Sequence, residues 1–138
     1  MMGVRLPVSG GHAKIGAMNT LLVFIGAGLG GALRYSSINL CARLFGAAFP
    51  VGTMLVNIVG SLLMGLLVGY LLPRVDISPG WRLFLGSGVL GGFTTFSAFS
   101  FDALTLAQQG NWLGSAVYVL GSVVLSIAAL GLGLWLMK

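Results

Sequence analysis

The sequence predicts an all-α membrane protein of four transmembrane helices, on three observations. Of its 138 residues, 57% are hydrophobic and 7% charged, with a mean hydropathy of +1.04. A soluble domain carries about 25% charged residues, so this chain lacks a polar coat for water and belongs in a bilayer. The few charges leave four long charge-free runs, each near the ~20 apolar residues that cross a hydrocarbon core. Turn-forming residues fall between the runs.

The first run covers 15–33, and its helix is expected to continue past Arg34. The second, 51–72, is opened by Pro50 and closed by Pro73. The third, 83–101, lies between Arg82 and Asp102. The fourth, 112–137, follows Gln-Gln-Gly-Asn (108–111) and ends at Lys138. The connections Phe45-Gly-Ala, 73–80 and Gly110-Asn111 carry the glycines and prolines that turns need. Residues 1–17 (MMGVRLPVSGGHAKIGA) have Gly, Pro and Lys and no sustained apolar core. They do not read as a signal peptide, because the apolar region after Lys14 runs straight into the first helix. The expected division is a flexible N-terminal tail over 1–18, with Met18 an alternative start, and a four-helix transmembrane domain over 19–138.

Composition also excludes functions. The chain has two Asp, no Glu and a net charge of +5 from basic residues spread along its length, so no basic patch for nucleic acid exists. One Cys (Cys41) and one His (His12) exclude a disulfide framework and an ordinary zinc cage. On one side of the expected bundle lie Arg5, Lys14, Arg74, Arg82 and Lys138, and on the other Arg34 and Arg43. Counted from Met18, the contrast nearly vanishes, and a chain with so weak an orientation signal can insert either way up.

Glycines at 26, 28 and 31 fit the G-x-G-x-x-G pattern of dinucleotide sites, but no strand precedes them and no acid follows before Asp76. They read instead as contact points where a neighbouring helix comes close, as do the pairs Gly65/Gly69 and Gly88/Gly92. Thr53, Asn57 and Ser61 form a polar stripe on the second helix, and Tyr118, Ser122 and Ser126 form one on the fourth. Hydroxyls of this kind also serve merely to join helices, but an amide such as Asn57 is costly in lipid unless it meets a partner or water. Two such stripes in one small bundle favour a wet path.

Within GGFTTFSAFS (91–100), Gly91-Gly92 weakens the third helix, and Thr94 and Thr95 can bond backbone carbonyls in its place. The expectation is a third helix broken in mid-membrane, tolerated where it is buried or lines a cavity. Phe93, Phe96 and Phe99 follow at every third position. A phenylalanine stripe packs a core, yet ring edges are positive, and with hydroxyl donors such as Thr95 they can host a small anion. The expected spans hold no carboxylate to attract a cation, and Arg34 is their one plausible charge. The chemistry leans toward an anion without naming it.

Three blocks, GGALRY (30–35), GTMLVNIVGS (52–61) and GGFTTFSAFS (91–100), resemble in order and spacing the signature blocks of the Fluc (CrcB) family of fluoride channels. The resemblance covers 26–133. It implies passive export of fluoride across the cell membrane and an antiparallel, dual-topology homodimer with two pores, each lined by both copies. Carried over motif by motif, Phe96 and Phe99 are the pore phenylalanines, Asn57 the pore amide, and Ser122 and Ser126, after Tyr118, a hydroxyl track. Arg34 lies near a pore mouth. Gly91 and Thr94 give backbone carbonyls to a structural sodium that is not transported. Ala98 stands where many members carry Thr, and Asp102 where Glu is frequent. Two other classes stay in view. In a structural assembly protein the stripes would be helix glue. A small multidrug exporter requires an intramembrane carboxylate, which the first helix lacks.

Overall fold

A computed structural model describes residues 10–71, 73–74 and 77–138. Helix α1 runs Gly10–Phe45 and α2 runs Val51–Leu71. Helix α3 covers residues 79–93. It has a first turn at Pro79–Arg82, a wider π-wound stretch at Leu83–Leu90 and a last turn at Gly91–Phe93. After a two-residue interruption, α4 runs Phe96–Gln108, and α5 runs Trp112–Leu136. There is no strand among the described residues. Four helical segments are long and apolar enough to cross a membrane, α3 and α4 together forming the third. The chain is a multi-pass membrane protein.

Two expectations change here. Residues 10–18, assigned to a loose tail, are the first turns of α1. Past Pro7, the alanines, Lys14 and Met18 favour a helix that can propagate backwards from the span. Residues 1–9 of that tail lie outside the described residues. The third segment also does not end at Asp102 but continues to Gln108, so one carboxylate does lie on a spanning helix.

The turns follow their chemistry. Gly46 and Gly110, each just past a helix end, have φ of +81°, a left-handed value that costs glycine little. At Gly110 the chain closes α4 with the two bonds of a Schellman motif: Asn111 N–H to Leu106 O and Gly110 N–H to Ala107 O, both 3.0 Å. Asn111 then caps α5, its Oδ1 accepting from Gly114 N–H at 2.9 Å.

Close packing depends on glycine. A side chain at Gly26 would meet Phe84 O at 2.6 Å, and one at Gly92 would run into the Ala27 backbone. Gly88 faces Gly26, while Gly65 and Gly69 face α5 at Gly133 and Met137. Gly26 and the pairs Gly65/Gly69 and Gly88/Gly92 admit neighbours as expected, but Gly28 and Gly31 do not: a side chain at either would meet nothing within 4 Å. Gly26 and Gly30 lie inside a helix against α3, which disposes of the dinucleotide reading.

Most large apolar side chains point outward: Phe24, Trp112, Leu113 and Ile127 are mostly exposed. The tryptophans sit at the ends of spans, Trp81 at the start of α3 and Trp112 and Trp135 at opposite ends of α5, as interfacial anchors do. A small core of Phe99, Leu106 and Tyr118, flanked by Phe49 and Met54, packs α4 against α5.

Candidate functional site

The site is organised by the interruption between α3 and α4. Thr94 (φ −79°, ψ 157°) and Thr95 (φ −152°, ψ 124°) are extended. The glycines were expected to cause the break, yet Gly91 is helical, at φ −63° and ψ −37°. A side chain there would meet nothing closer than Gly86 O, at 3.6 Å. Two successive β-branched residues suit extended backbone, and their polar groups are held. Thr94 N–H and Oγ1 both donate to Leu90 O, each at 3.0 Å. Thr95 N–H, which in an unbroken helix would return to Gly91 O, donates instead to Asn57 Oδ1 at 2.8 Å. Asn57 Nδ2 in turn donates to Thr95 O at 2.9 Å. The Asn57 side chain thus pairs with one residue of backbone as a neighbouring strand would. Thr95 Oγ1 accepts from Ala98 N–H at 3.2 Å and caps α4.

Arg34 is joined to the same place. Its Nη1 donates to Thr94 O at 3.2 Å. Arg34 therefore lies beside the break, bonded to the backbone of a residue that lines the cavity described next. Arg34 also no longer counts as a loop charge.

Beside the break lies an open cavity of about 480 Å³. It is lined by α2 through Asn57, Gly60, Ser61 and Met64, by the break through Gly91, Thr94, Thr95, Phe96 and Phe99, and by α5 through Ser122, Val123, Ser126, Ile127 and Leu130. None of these side chains is charged. Ser122 is 3% exposed, and among the described residues its Oγ has no hydrogen-bond partner. A buried hydroxyl without a partner is costly, and this one borders a cavity. Phe96, 77% exposed, stands at the rim with its ring centroid 5.4 Å from that of the buried Phe99.

Of the residues singled out in the sequence, Asn57, Ser61, Gly91, Thr94, Thr95, Phe96, Phe99, Ser122 and Ser126 come together at this cavity. Arg34, Thr53, Phe93 and Tyr118 do not line it. Tyr118 is wholly buried behind Phe99, ring centroids 5.4 Å apart, and its hydroxyl donates to Asp102 Oδ2 at 3.3 Å. It shares a helix face with Ser122 and Ser126, but the Phe99 ring covers it. Gly60, Met64, Val123, Ile127 and Leu130 were not foreseen. Their signal was helical spacing, since they flank Asn57 and the two serines on the same faces.

The fold and the cavity define a class: a small four-span membrane protein with an uncharged, hydroxyl- and phenyl-lined cavity at a helix interruption. The chain belongs to the CrcB family, described as CrcB-like protein, Camphor Resistance (CrcB), which it matches over residues 21–134. It is 55% identical over 117 residues to the fluoride-specific ion channel FluC of Methylobacterium nodulans, covering 85% of this chain and 94% of the relative. It is 50% identical over 121 residues to fluoride-specific ion channel FluC 2 of Nitrobacter hamburgensis (88% and 98%). It is 49% identical over 117 residues to a Coxiella burnetii FluC (84% and 94%).

Proposed function

We propose that the chain is the subunit of a fluoride-specific channel that lets fluoride leave the cell passively and so lowers its cytoplasmic toxicity. Ser122 carries the reading: a buried hydroxyl with no partner among the described residues, beside phenyl rings and in a cavity whose described lining has no carboxylate. Fluoride is a strong hydrogen-bond acceptor, and Ser122 and Ser126 can donate to it as it sheds water. Positive ring edges of Phe96 and Phe99 stabilise the same charge. The names of the relatives support this ion. A channel of this kind binds and releases its ion without catalysis.

The cavity is one half of the pathway in this reading. It is open, and Phe96 is bare on the rim. A second copy, running the opposite way through the membrane, completes each of two pores. The interruption falls close to the middle of the third segment, Pro79–Gln108, which supports its lying at mid-depth. Gly91 and Thr94 suit a structural sodium. The Gly91 carbonyl has lost its usual helical donor to Asn57, and Thr94 O carries one weak bond from Arg34. Neutral carbonyl oxygens of this sort can hold one monovalent cation. Bound there, sodium would supply a fixed positive charge near the bilayer centre. A multidrug-exporter reading finds no support in the cavity, whose lining holds no acid.

Liposomes reconstituted with the protein and loaded with fluoride or chloride test the reading. A fluoride-selective electrode should record rapid efflux when a potassium ionophore removes the opposing voltage, and a chloride electrode should record far less. Equal efflux of both ions, or none from well-folded protein, would refute it.

A further inference from the structure

The glycines that draw the helices together leave one seam open. Gly26 meets Gly88 between α1 and α3, and Gly65 meets Gly133 between α2 and α5. Such contacts bring backbones close. Between α2 and α3, Gly60 makes one at the break, against Thr94 and Phe93. Nearer the loop that joins these two helices, a side chain at Gly86 would meet only Leu67 Cδ2, at 3.8 Å. The helices there stand a side chain apart, and an apolar groove of about 370 Å³ runs between them. Its walls include Leu63, Leu67 and Tyr70 of α2, Leu85 and Val89 of α3, and Met137 just past α5. From Leu63, near the middle of α2, to Tyr70, one residue from its end, is about 10 Å. That is much of the ~15 Å depth of one leaflet's hydrocarbon.

The loop end of the groove is cationic. The exposed Arg74 lies over the Tyr70 ring, 4.0 Å from its centroid. Arg82, three residues before Leu85, donates through Nη2 to Leu71 O at 3.0 Å and to Arg74 O at 2.6 Å. These partners are a ring face and two carbonyls, all neutral, so none of them cancels a guanidinium charge. By sequence the loop also has Asp76, which lies outside the described residues, and two arginines against one acid leave it positive. Tyr70 and Trp81 set this end at the level of the headgroups, where such rings settle. The groove and the fluoride cavity occupy different faces. At 3.6 residues per turn, the α2 residues lining the groove are centred roughly 120° round the helix from those lining the cavity. A second copy that closes the cavity covers another side of α2, and lipid is left to cover this one.

We propose that this groove binds an anionic phospholipid, with one acyl chain along Leu63, Leu67, Leu85 and Val89 and the phosphate at Arg74 and Arg82. Basic pockets between membrane helices recognise negatively charged headgroups in this way. Hydrocarbon alone does not discriminate, since every lipid offers similar chains, so the arginines make the selection. A guanidinium presents forked donors that match phosphate oxygens. Stacked on Tyr70, that of Arg74 has already lost water from one face. The bound chain fills space that side chains leave open and touches both α2 and α3, so its binding stabilises their contact. Only the placement of the second copy rests on the function proposed above. The groove and its arginines belong to one chain.

Native mass spectrometry of the detergent-purified full chain tests the site, with phosphatidylglycerol and phosphatidylcholine of identical chains as the two probes. The unaltered protein should retain phosphatidylglycerol at least about fivefold more tightly, the effect of about one basic residue. Arg74→Gln should remove most of that preference and leave the weaker binding of phosphatidylcholine unchanged. Val89→Phe, which fills the groove, should weaken the binding of both lipids. Inorganic phosphate, and phosphatidylglycerol with chains too short to reach Leu63, should compete poorly with the long-chain lipid. Equal retention of the two lipids, or an undiminished preference in Arg74→Gln, would overturn the proposal. Competition by inorganic phosphate as strong as that of the full lipid would also overturn it, and would reduce the site to a surface anion contact. If Val89→Phe does not fold, the comparison of chain lengths on the unaltered protein decides the apolar half by itself. The masses report bound lipid whether or not the protein conducts fluoride, so the lipid site and the fluoride pathway stand or fall separately.

Discussion

The two polar stripes look alike in sequence and are used in opposite ways. On α2, the amide of Asn57 has both its oxygen and its nitrogen bonded to the Thr95 backbone. On α5, Ser122 is buried more deeply than the half-buried Asn57, yet its hydroxyl has no partner among the described residues. A polar group in an apolar bundle must be paired or it destabilises the fold. The paired one therefore acts as architecture, holding the break open. The unpaired one destabilises the resting bundle and, in the function proposed above, is available to a passing ion.

The contrast predicts separable effects. The largest should come from Asn57→Ala, which strips both backbone groups of Thr95 at once. Because these groups are half-buried, the loss lies toward the low end of the about 1–3 kcal/mol for each buried group left unsatisfied; the unfolding temperature in detergent should still fall and fluoride efflux should vanish. Asn57→Asp keeps an acceptor for Thr95 N–H but faces Thr95 O with an oxygen, so it should also fail, with a smaller loss of stability. A variant at 57 that conducts normally and melts normally would mean that the ring of bonds does not hold the break.

Ser122→Ala should do the reverse. Removal of an unpaired hydroxyl should leave thermal stability unchanged or slightly raised. Efflux should fall about tenfold or more, given about 1.5–3 kcal/mol for a hydrogen bond to a charged group. Lowered stability with undiminished efflux would make α5 another structural stripe and erase the distinction.

The smallest effect belongs to Thr94→Val. Its Oγ1 donates to Leu90 O, the carbonyl already bonded by its own N–H. The hydroxyl is redundant, so stability should change by less than about 1 kcal/mol, and efflux should stay within about twofold. A large loss would assign the Thr94 side chain to the pathway itself.

Much of the site was legible because helices impose their own geometry. Residues four apart share a face whatever surrounds them, so Asn57 could be set beside Ser61, and Ser122 beside Ser126, before any packing was known. Tyr118 belonged to the same face and still missed the cavity, because the Phe99 ring lies over it.

The sequence by itself determined the four spans, since charge-free length is the one property a bilayer demands. It also determined the left-handed turns at Gly46 and Gly110, because a missing Cβ permits positive φ wherever it stands, but packing decided that Gly26 and Gly30 touch α3 while Gly28 and Gly31 touch nothing. Only the tertiary structure decided where the third segment breaks and what Arg34 does. Local propensity pointed to Gly91-Gly92, but the outcome turned on which acceptor captured the Thr95 N–H. Gly91 O, four residues back, lost to Asn57, 38 positions away, and Arg34 reached Thr94 O across 60. Contests between near and distant hydrogen-bond partners are settled by packing, because folding alone sets the distant partner's position.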